Sequence, residues 1–280
     1  MTLAHDRDGA GPVVVLLHSA VCDRRMWDPQ WSVLIDAGYR VVRPDLSGFG
    51  RTPPATDPRR DADDVLGLLD ALGIGRAALV GACHGGTVAL EVAARHPDRV
   101  DSLALLCAGR PGHIPSPALR AIEARERALL AAGDAAAAVE FVLDTRLGPA
   151  ADALTRYQVG VMQRDVFDQR LAADATPAPG AADVDVDLSA ITAPCLVVSG
   201  AHDLADFRAM AAETSGALPN ARHLELPWAG HLPSVEQPRE VAALLLAHLA
   251  ERRPHEPVPA DAAVSARAVP GAQAVQPSAG

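Results

Sequence analysis

Three short stretches carry residue types that can do acyl chemistry together. The first is Gly81-Ala82-Cys83-His84-Gly85-Gly86, between the apolar run Ala77–Val80 and the helical run Thr87–Arg95. A strand, a sharp turn and a helix in that order lift the central side chain out at a helix N-terminus. Backbone N–H groups and the helix dipole favour an anion there, and the reactive form of a thiol is the anion. The second stretch is Gly200-Ala201-His202-Asp203, after the strand-like CLVVS. The third is Gly230-His231-Leu232-Pro233, after HLEL. An imidazole can take the proton of a thiol and return it to a leaving group, while a carboxylate on its other nitrogen fixes tautomer and orientation. Cys83, His231 and Asp203 are therefore the candidate nucleophile, base and acid.

Each candidate also has a plainer reading. Cys83 can be a working nucleophile, an inactivating replacement or an engineered change, and the presence of both Asp203 and His231 favours the first. Asp203 could be a helix N-cap, with Asp206 the nearest rival as the acid, but the GAHD context favours Asp203. His18 reads as an organiser of its loop and Asp45 as a residue holding a turn. His202 has no evident role, and His113 reads as a solvated side chain. Trp27, Trp228 and Met162, with Tyr157 and Phe167, are candidates to line a substrate pocket, against the alternative of core packing. Cys107 and Cys195 lie inside apolar strand-like runs and read as small core residues. No C-x-x-C or HExxH pattern occurs, so the sequence offers no metal site.

The elements that must position these groups alternate. Strand signals fall at Val13–Leu17, Tyr39–Arg43, Ala77–Val80, Ser102–Cys107, Cys195–Ser199 and His223–Leu226. Helical signals fall at Ala62–Leu72, Thr87–Arg95 and Arg239–Leu249. Such alternation predicts a mostly parallel sheet flanked by helices, an α/β fold whose ligands collect at the strand carboxyl ends. All three chemical stretches follow strands and so share one edge. The alternation breaks between about Arg110 and Ser189. There, helices predicted at Ser116–Ala132, Ala135–Arg146 and Ala153–Leu171 would form a lid that shapes the pocket and excludes water. The expected organisation is a core of residues 1–109 and 190–252, a helical lid of 110–189, and a disordered Ala/Pro-rich tail of 253–280.

Composition excludes several functions. The chain has 280 residues, and 25 basic against 35 acidic residues give a net charge of −10. That balance disfavours nucleic acid and anionic membranes. Every basic residue other than histidine is an arginine, so a lysine nucleophile or Schiff base is excluded. No apolar run approaches the roughly 20 residues of a membrane span, and the start lacks a basic and apolar leader. A cytoplasmic location and a small-molecule acyl substrate are the resulting expectations, with the oligomeric state open.

With VVLLHSA, PDLSGFGRT, GACHGG, SGAHD and GHLPSVEQP in this order, the chain resembles the α/β-hydrolase superfamily, in its lid-bearing esterase, lactonase and C–C hydrolase branch. The resemblance runs from about Pro12 to Leu249. It implies acyl-type hydrolysis through a covalent intermediate, without a cofactor and with no particular substrate. It also implies an oxyanion hole built from the backbone N–H groups of Ala20, in the His18-Ser19-Ala20 loop, and of His84, whose side chain need play no part. Three features depart from the usual pattern. Cys83 stands where serine is common, as in dienelactone hydrolases and some biosynthetic thioesterases. Ser19 stands where glycine is common. Few residues precede Val13, which leaves the usual antiparallel first strands shortened or missing. The implied activity is cleavage of an ester, lactone or thioester through an acyl-cysteine. C–C bond hydrolysis, acyl transfer or cyclisation, and ligand binding without turnover are the alternatives. Epoxide hydrolases and dehalogenases of this fold need a carboxylate at the elbow, which Cys83 does not supply.

Overall fold

The computed structural model describes residues 3–56, 59–172 and 186–251. Residues 173–185 of the expected lid and the whole of the expected tail, 253–280, lie outside the described residues. Seven strands form one sheet: β1 (His5–Asp8), β2 (Val13–Leu17), β3 (Arg40–Pro44), β4 (Ala77–Ala82), β5 (Val100–Leu106), β6 (Cys195–Gly200) and β7 (Ala221–Leu226). Their order is β1-β3-β2-β4-β5-β6-β7, and every pair is parallel except β1 with β3.

The central strands are apolar on both faces, and alternate residues feed two separate cores, as a strand's period of two requires. Val15, Leu17, Leu79, Leu103, Leu105 and Val197 face one layer. Val14, Leu16, Val80, Ala104, Leu106, Leu196 and Val198 face the other. The first layer is closed by helices α2 (Asp61–Ala71) and α3 (His84–Arg95), through Val65, Leu69, Val88 and Val92. The second is closed by α1 (Asp28–Asp36) and a C-terminal helix, Pro238–Ala250, through Leu34, Val241 and Leu245. Each such fully buried aliphatic side chain contributes about 1.5–3 kcal/mol relative to exposure.

Between β5 and β6 run three helices, α4 (Pro117–Ala131), α5 (Ala135–Arg146) and α6 (Ala153–Ala172). Val142, Leu143, Met162 and Phe167 of this segment join the second core. Helix α7 (Ala205–Ala217) follows β6, a short helix α8 (Pro233–Glu236) follows β7, and Pro238–Ala250 is α9.

The expected strands and helices agree with these bounds to within a few residues. Four elements, β1, α1, α7 and the short α8, have no counterpart in the sequence reading. β1 is the polar tetrapeptide His-Asp-Arg-Asp, so no apolar alternation marks it; Asp6 on this edge pairs with Arg24 and Arg43. It supplies one antiparallel edge strand where the usual first strands were expected to be shortened or missing, and the sheet has seven strands among the described residues. Helices α1 and α7 were hidden by short apolar faces; α1 buries only Gln30 and Leu34. Among the described residues, no helix is long and apolar enough to cross a membrane.

Candidate active site

Cys83 sits between the last residue of β4 and the first of α3, with φ +49° and ψ −114°. For a residue with a side chain, that region costs about 1–3 kcal/mol and persists only where surrounding bonds enforce it. Here they do. The Cys83 N–H donates to Leu106 O at 3.0 Å, and its carbonyl accepts from Gly86, Thr87 and Gly109 at 3.0–3.2 Å. The glycines beside it are required by contact. A Cβ on Gly81 would lie 2.4 Å from Gly85 O, and one on Gly85 would lie 2.4 Å from Leu17 O.

The ends of β6 and β7 bring the other two groups to the same edge. His231 Nδ1 lies 3.0 and 2.9 Å from the two carboxylate oxygens of Asp203, and both side chains are fully buried. His231 Nε2 is also buried and has no hydrogen-bond partner among the described residues, and the charges of His231 and Cys83 act on each other. Burial alone would raise the Cys83 pKa. The His231 and Arg146 charges and the Ser19 side chain overcome it and bring the thiol down to about 6. Burial would likewise lower His231, but the charges of Asp203 and Cys83 lift it to about 9. The pair can therefore rest as thiolate and imidazolium around neutral pH.

The loop after β2 is held by its histidine. The Leu46 N–H donates to His18 Nε2 at 2.9 Å, so Nδ1 carries the proton and donates to Ser19 O at 2.9 Å. Burial keeps His18 below its ordinary pKa. Ser19 donates its N–H to Met26 Sδ, its hydroxyl oxygen accepts from the Val21 N–H at 3.4 Å, and its side chain helps to lower the Cys83 thiol. The N–H groups of Ala20 and His84 take no acceptor among the described backbone hydrogen bonds. Asp45 holds its turn as expected, accepting from the N–H groups of Arg24 and Arg51 and pairing with the Arg24 guanidinium.

Other placements differ from expectation. Trp27 is wholly buried in the second core, because the short helical turn Arg24–Trp27 tucks it beneath the sheet edge, so it is a core residue and not a pocket residue. Trp228 is partly buried against the same core. Met162 is buried on α6 and lines a groove with Tyr157, Val161 and Val235 that none of Cys83, Asp203 and His231 borders. Asp206 is not placed as the acid. It accepts from Ser116 N, Ser116 Oγ and His113 Nε2, which hold it at about 2 against the pull of burial. His113 is thus partnered rather than solvated, and it ties the approach to α4 onto α7. The His84 ring is also engaged, with Nε2 2.7 Å from Asp61 Oδ2; the charges of Asp61 and Cys83 raise it against burial.

Three residues at the site escaped the sequence reading. Cys107 reads as core, yet its thiol lies behind the acid–histidine pair and donates to Gly230 O at 3.5 Å. Its donor atom and those of Asp203 and His231 lie within 4.8 Å of one another, the one set among the described residues close enough to share a metal ion. Burial holds the Cys107 thiol far above its ordinary pKa, and the other two groups already bind each other. Arg146 ends α5, and its carbonyl accepts the His231 N–H at 2.7 Å. Glu236 accepts from the N–H groups of Gly230, Leu232 and Gly148, at 2.9, 3.1 and 3.2 Å. It sits within the motif GHLPSVEQP, so the signal was present, but its role depends on where the backbone folds.

Glu236 thereby clamps the histidine loop to the turn after α5. Glu236→Gln replaces part of a three-bond acceptor with a donor aimed at N–H groups. It is expected to lower Tm by about 4–8 °C, equivalent to about 2 kcal/mol. A parallel fall in kcat with KM little changed is expected, because His231 loses its seat; thermal melts and steady-state kinetics check both.

Comparison with known proteins bears on the family and the fold. The α/β-hydrolase fold family model matches residues 12–131. The chain is 33% identical over 233 residues to a protein from Caulobacter sp. named putative carbamate hydrolase RutD, covering 79% of this chain and 84% of that one. A shorter stretch of 96 residues is 40% identical to an epoxide hydrolase from Caballeronia sordidicola, 29% of that protein's length. Among solved structures, a thermophilic esterase from Thermogutta terrifontis superposes with a TM-score of 0.75 at 28% identity, covering 89% of this chain and 93% of that one. The enol-lactonase from Burkholderia xenovorans does so with a TM-score of 0.72 at 27% identity, covering 89% and 96%. On sequence and fold, the chain belongs to the α/β-hydrolase fold family.

Proposed function

We propose that the protein hydrolyses an ester, lactone or thioester of a small molecule through Cys83, His231 and Asp203. The observation that carries this reading is the placement of Cys83, in its strained turn between β4 and α3, on the same sheet edge as the buried His231–Asp203 pair, with the His231 charge drawing the thiol down to about 6. The Cys83 thiolate attacks the carbonyl carbon, and the N–H groups of Ala20 and His84 receive the oxyanion. His231 gives its proton to the leaving alcohol or thiol as the tetrahedral intermediate collapses to an acyl-cysteine. Neutral His231 then takes a proton from water, whose oxygen attacks the acyl carbon. Collapse releases the carboxylic acid and restores the thiolate–imidazolium pair. Helices α4–α6 act as the lid over this edge. The esterase and enol-lactonase among the structural relatives support the acyl class. A thiolate does not supply the carboxylate nucleophile that epoxide opening in this fold uses.

The direct test is turnover of short-acyl nitrophenyl esters and acyl thioesters. No turnover of any of them by the folded protein would count against the reading. A second test follows from the ionisation. Alkylation of Cys83 by iodoacetamide, followed by mass spectrometry, is expected to rise with pH around a midpoint near 6, the value to which the site lowers this thiol. An ordinary thiol has its midpoint near about 8.5. Hydrolysis is expected to follow a bell, rising near 6 as the thiolate forms and falling near 9 as His231 loses the proton the leaving group needs. A midpoint above 8 would remove the preformed ion pair.

A further inference from the structure

The site holds one cation that the triad does not consume. The guanidinium carbon of Arg146 lies 5.3 Å from the centroid of the Phe207 ring, and Phe207 in turn lies 4.2 Å from the His231 ring. Arg146 Nη1 is buried and has no hydrogen-bond partner. Its charge reaches the Cys83 sulfur. A buried guanidinium N–H without an acceptor is costly, and native interiors seldom leave one. Other arginines of the described residues have acidic partners: Arg25 pairs with Asp23 and Asp165, and Arg156 with Glu140 and Asp144. No such carboxylate pairs with Arg146 among the described residues, although the chain has 35 acidic side chains. Because the chain contains no lysine, the choice of arginine by itself says nothing; the missing partner does. The backbone of Arg146 is tied to the histidine loop, since its carbonyl accepts the His231 N–H.

We propose that Arg146 is the carboxylate-binding residue of the substrate site, and that the compounds cleaved here carry a carboxylate close to the carbonyl under attack. The proposal rests on Cys83 being the reactive group, as read above. A planar guanidinium binds a carboxylate through paired N–H donors, and the low-dielectric surroundings strengthen that contact. The bound carboxylate would supply the acceptor that Nη1 lacks and would align the substrate against the Cys83 sulfur.

The test compares two alkylating reagents of nearly equal size, iodoacetate and iodoacetamide. Each loses iodide as the Cys83 sulfur bonds to its methylene carbon, and only iodoacetate carries the carboxylate. Both need the same thiolate, so the ratio of their rates cancels the thiolate fraction. The ratio is read at Cys83 by mass spectrometry, with glutathione as the free-thiol reference; Cys22, Cys107 and Cys195 are buried. The net charge of −10 works against iodoacetate everywhere on the molecule. The expected ratio for the unaltered protein is nevertheless about tenfold or more above that of glutathione. Arg146→Met should remove this preference, and Arg146→Lys should keep part of it. A ratio in the unaltered protein no higher than that of glutathione overturns the proposal without any variant being needed. So does a preference that survives unchanged in folded Arg146→Met. Iodoacetate preference in a protein that cleaves no ester or thioester would keep the Arg146 assignment and overturn the hydrolase reading. Ester cleavage without the preference would do the reverse.

Discussion

Cys83→Ala is expected to lower turnover of nitrophenyl esters and acyl thioesters by about 10⁴–10⁶-fold, the range seen when a triad nucleophile is deleted. The fold should survive the change. Cys83 is only partly buried, and its sulfur packs at the margin of the small cluster formed by Leu119, Phe207 and Met210. Alanine meets the same positive φ that cysteine already accepts, so backbone strain does not grow. A Tm within about 2 °C of the unaltered protein is the expected control. The residual rate would come from the Ala20 and His84 N–H groups and from substrate binding alone. Cys83→Ser sharpens the test. A hydroxyl does not ionise near neutral pH, so the serine variant has no thiolate to preform and must transfer its proton during attack. Its acid limb should therefore leave the value near 6 and follow the titration of His231. If Cys83→Ala retained more than about a tenth of the activity in a folded protein, Cys83 could not be the nucleophile.

Asp203→Asn is the second large effect, with kcat/KM expected to fall by about 10⁴-fold. The Asp203 carboxylate accepts from His231 Nδ1 with both oxygens near 3 Å. An amide at that place can turn its NH2 towards Nδ1 and hold the proton on Nε2, where it blocks attack by the sulfur. The electrostatics move in the same direction. The Asp203 charge is the largest of the influences that raise His231, and charged His231 is the largest of those that lower Cys83. Removing the carboxylate should therefore push the alkylation midpoint of Cys83 up from about 6 towards that of an ordinary thiol. Asp206→Asn is the matched comparison. Asp206 is fully occupied by Ser116 and His113, so its loss should loosen the start of α4 without moving the Cys83 midpoint. Equal midpoints in the Asp203→Asn variant and the unaltered protein would remove Asp203 from the acid role.

Much of this site was legible in the chain because its causes are local. The glycines flanking Cys83 admit a turn that bulkier residues would block, and the two cores follow from alternation along β2, β4, β5 and β6. Proximity of Cys83, Asp203 and His231 needed only parallel strands that end on one edge. The polar edge strand β1 escaped because its stability comes from ladder bonds and ion pairs, which leave no apolar pattern.

What only the tertiary structure decided are the contacts between segments far apart in sequence. Arg146 lies in a helical stretch whose pattern reports which face is apolar, and nothing in that pattern says that its carbonyl meets His231 or that its guanidinium lies over Phe207. Cys107 reads as the end of an apolar strand but lies one residue past β5, and only packing of that strand end against the histidine loop brings its thiol beside the pair. Trp27 enters the second core and Met162 a groove that Cys83 does not border for the same reason. Hydrophobicity says that a side chain will be buried, but the rotation of its backbone segment decides which cavity or core it enters. The sequence by itself determined the fold class, the order of the strand-end groups and the candidate chemistry, because periodicity and turn geometry are local. The clamp of Glu236, the seat of His113 on Asp206 and the unpaired charge of Arg146 were decided by how α4–α6 pack over the sheet edge. Packing is a long-range property, which no short window of residues encodes.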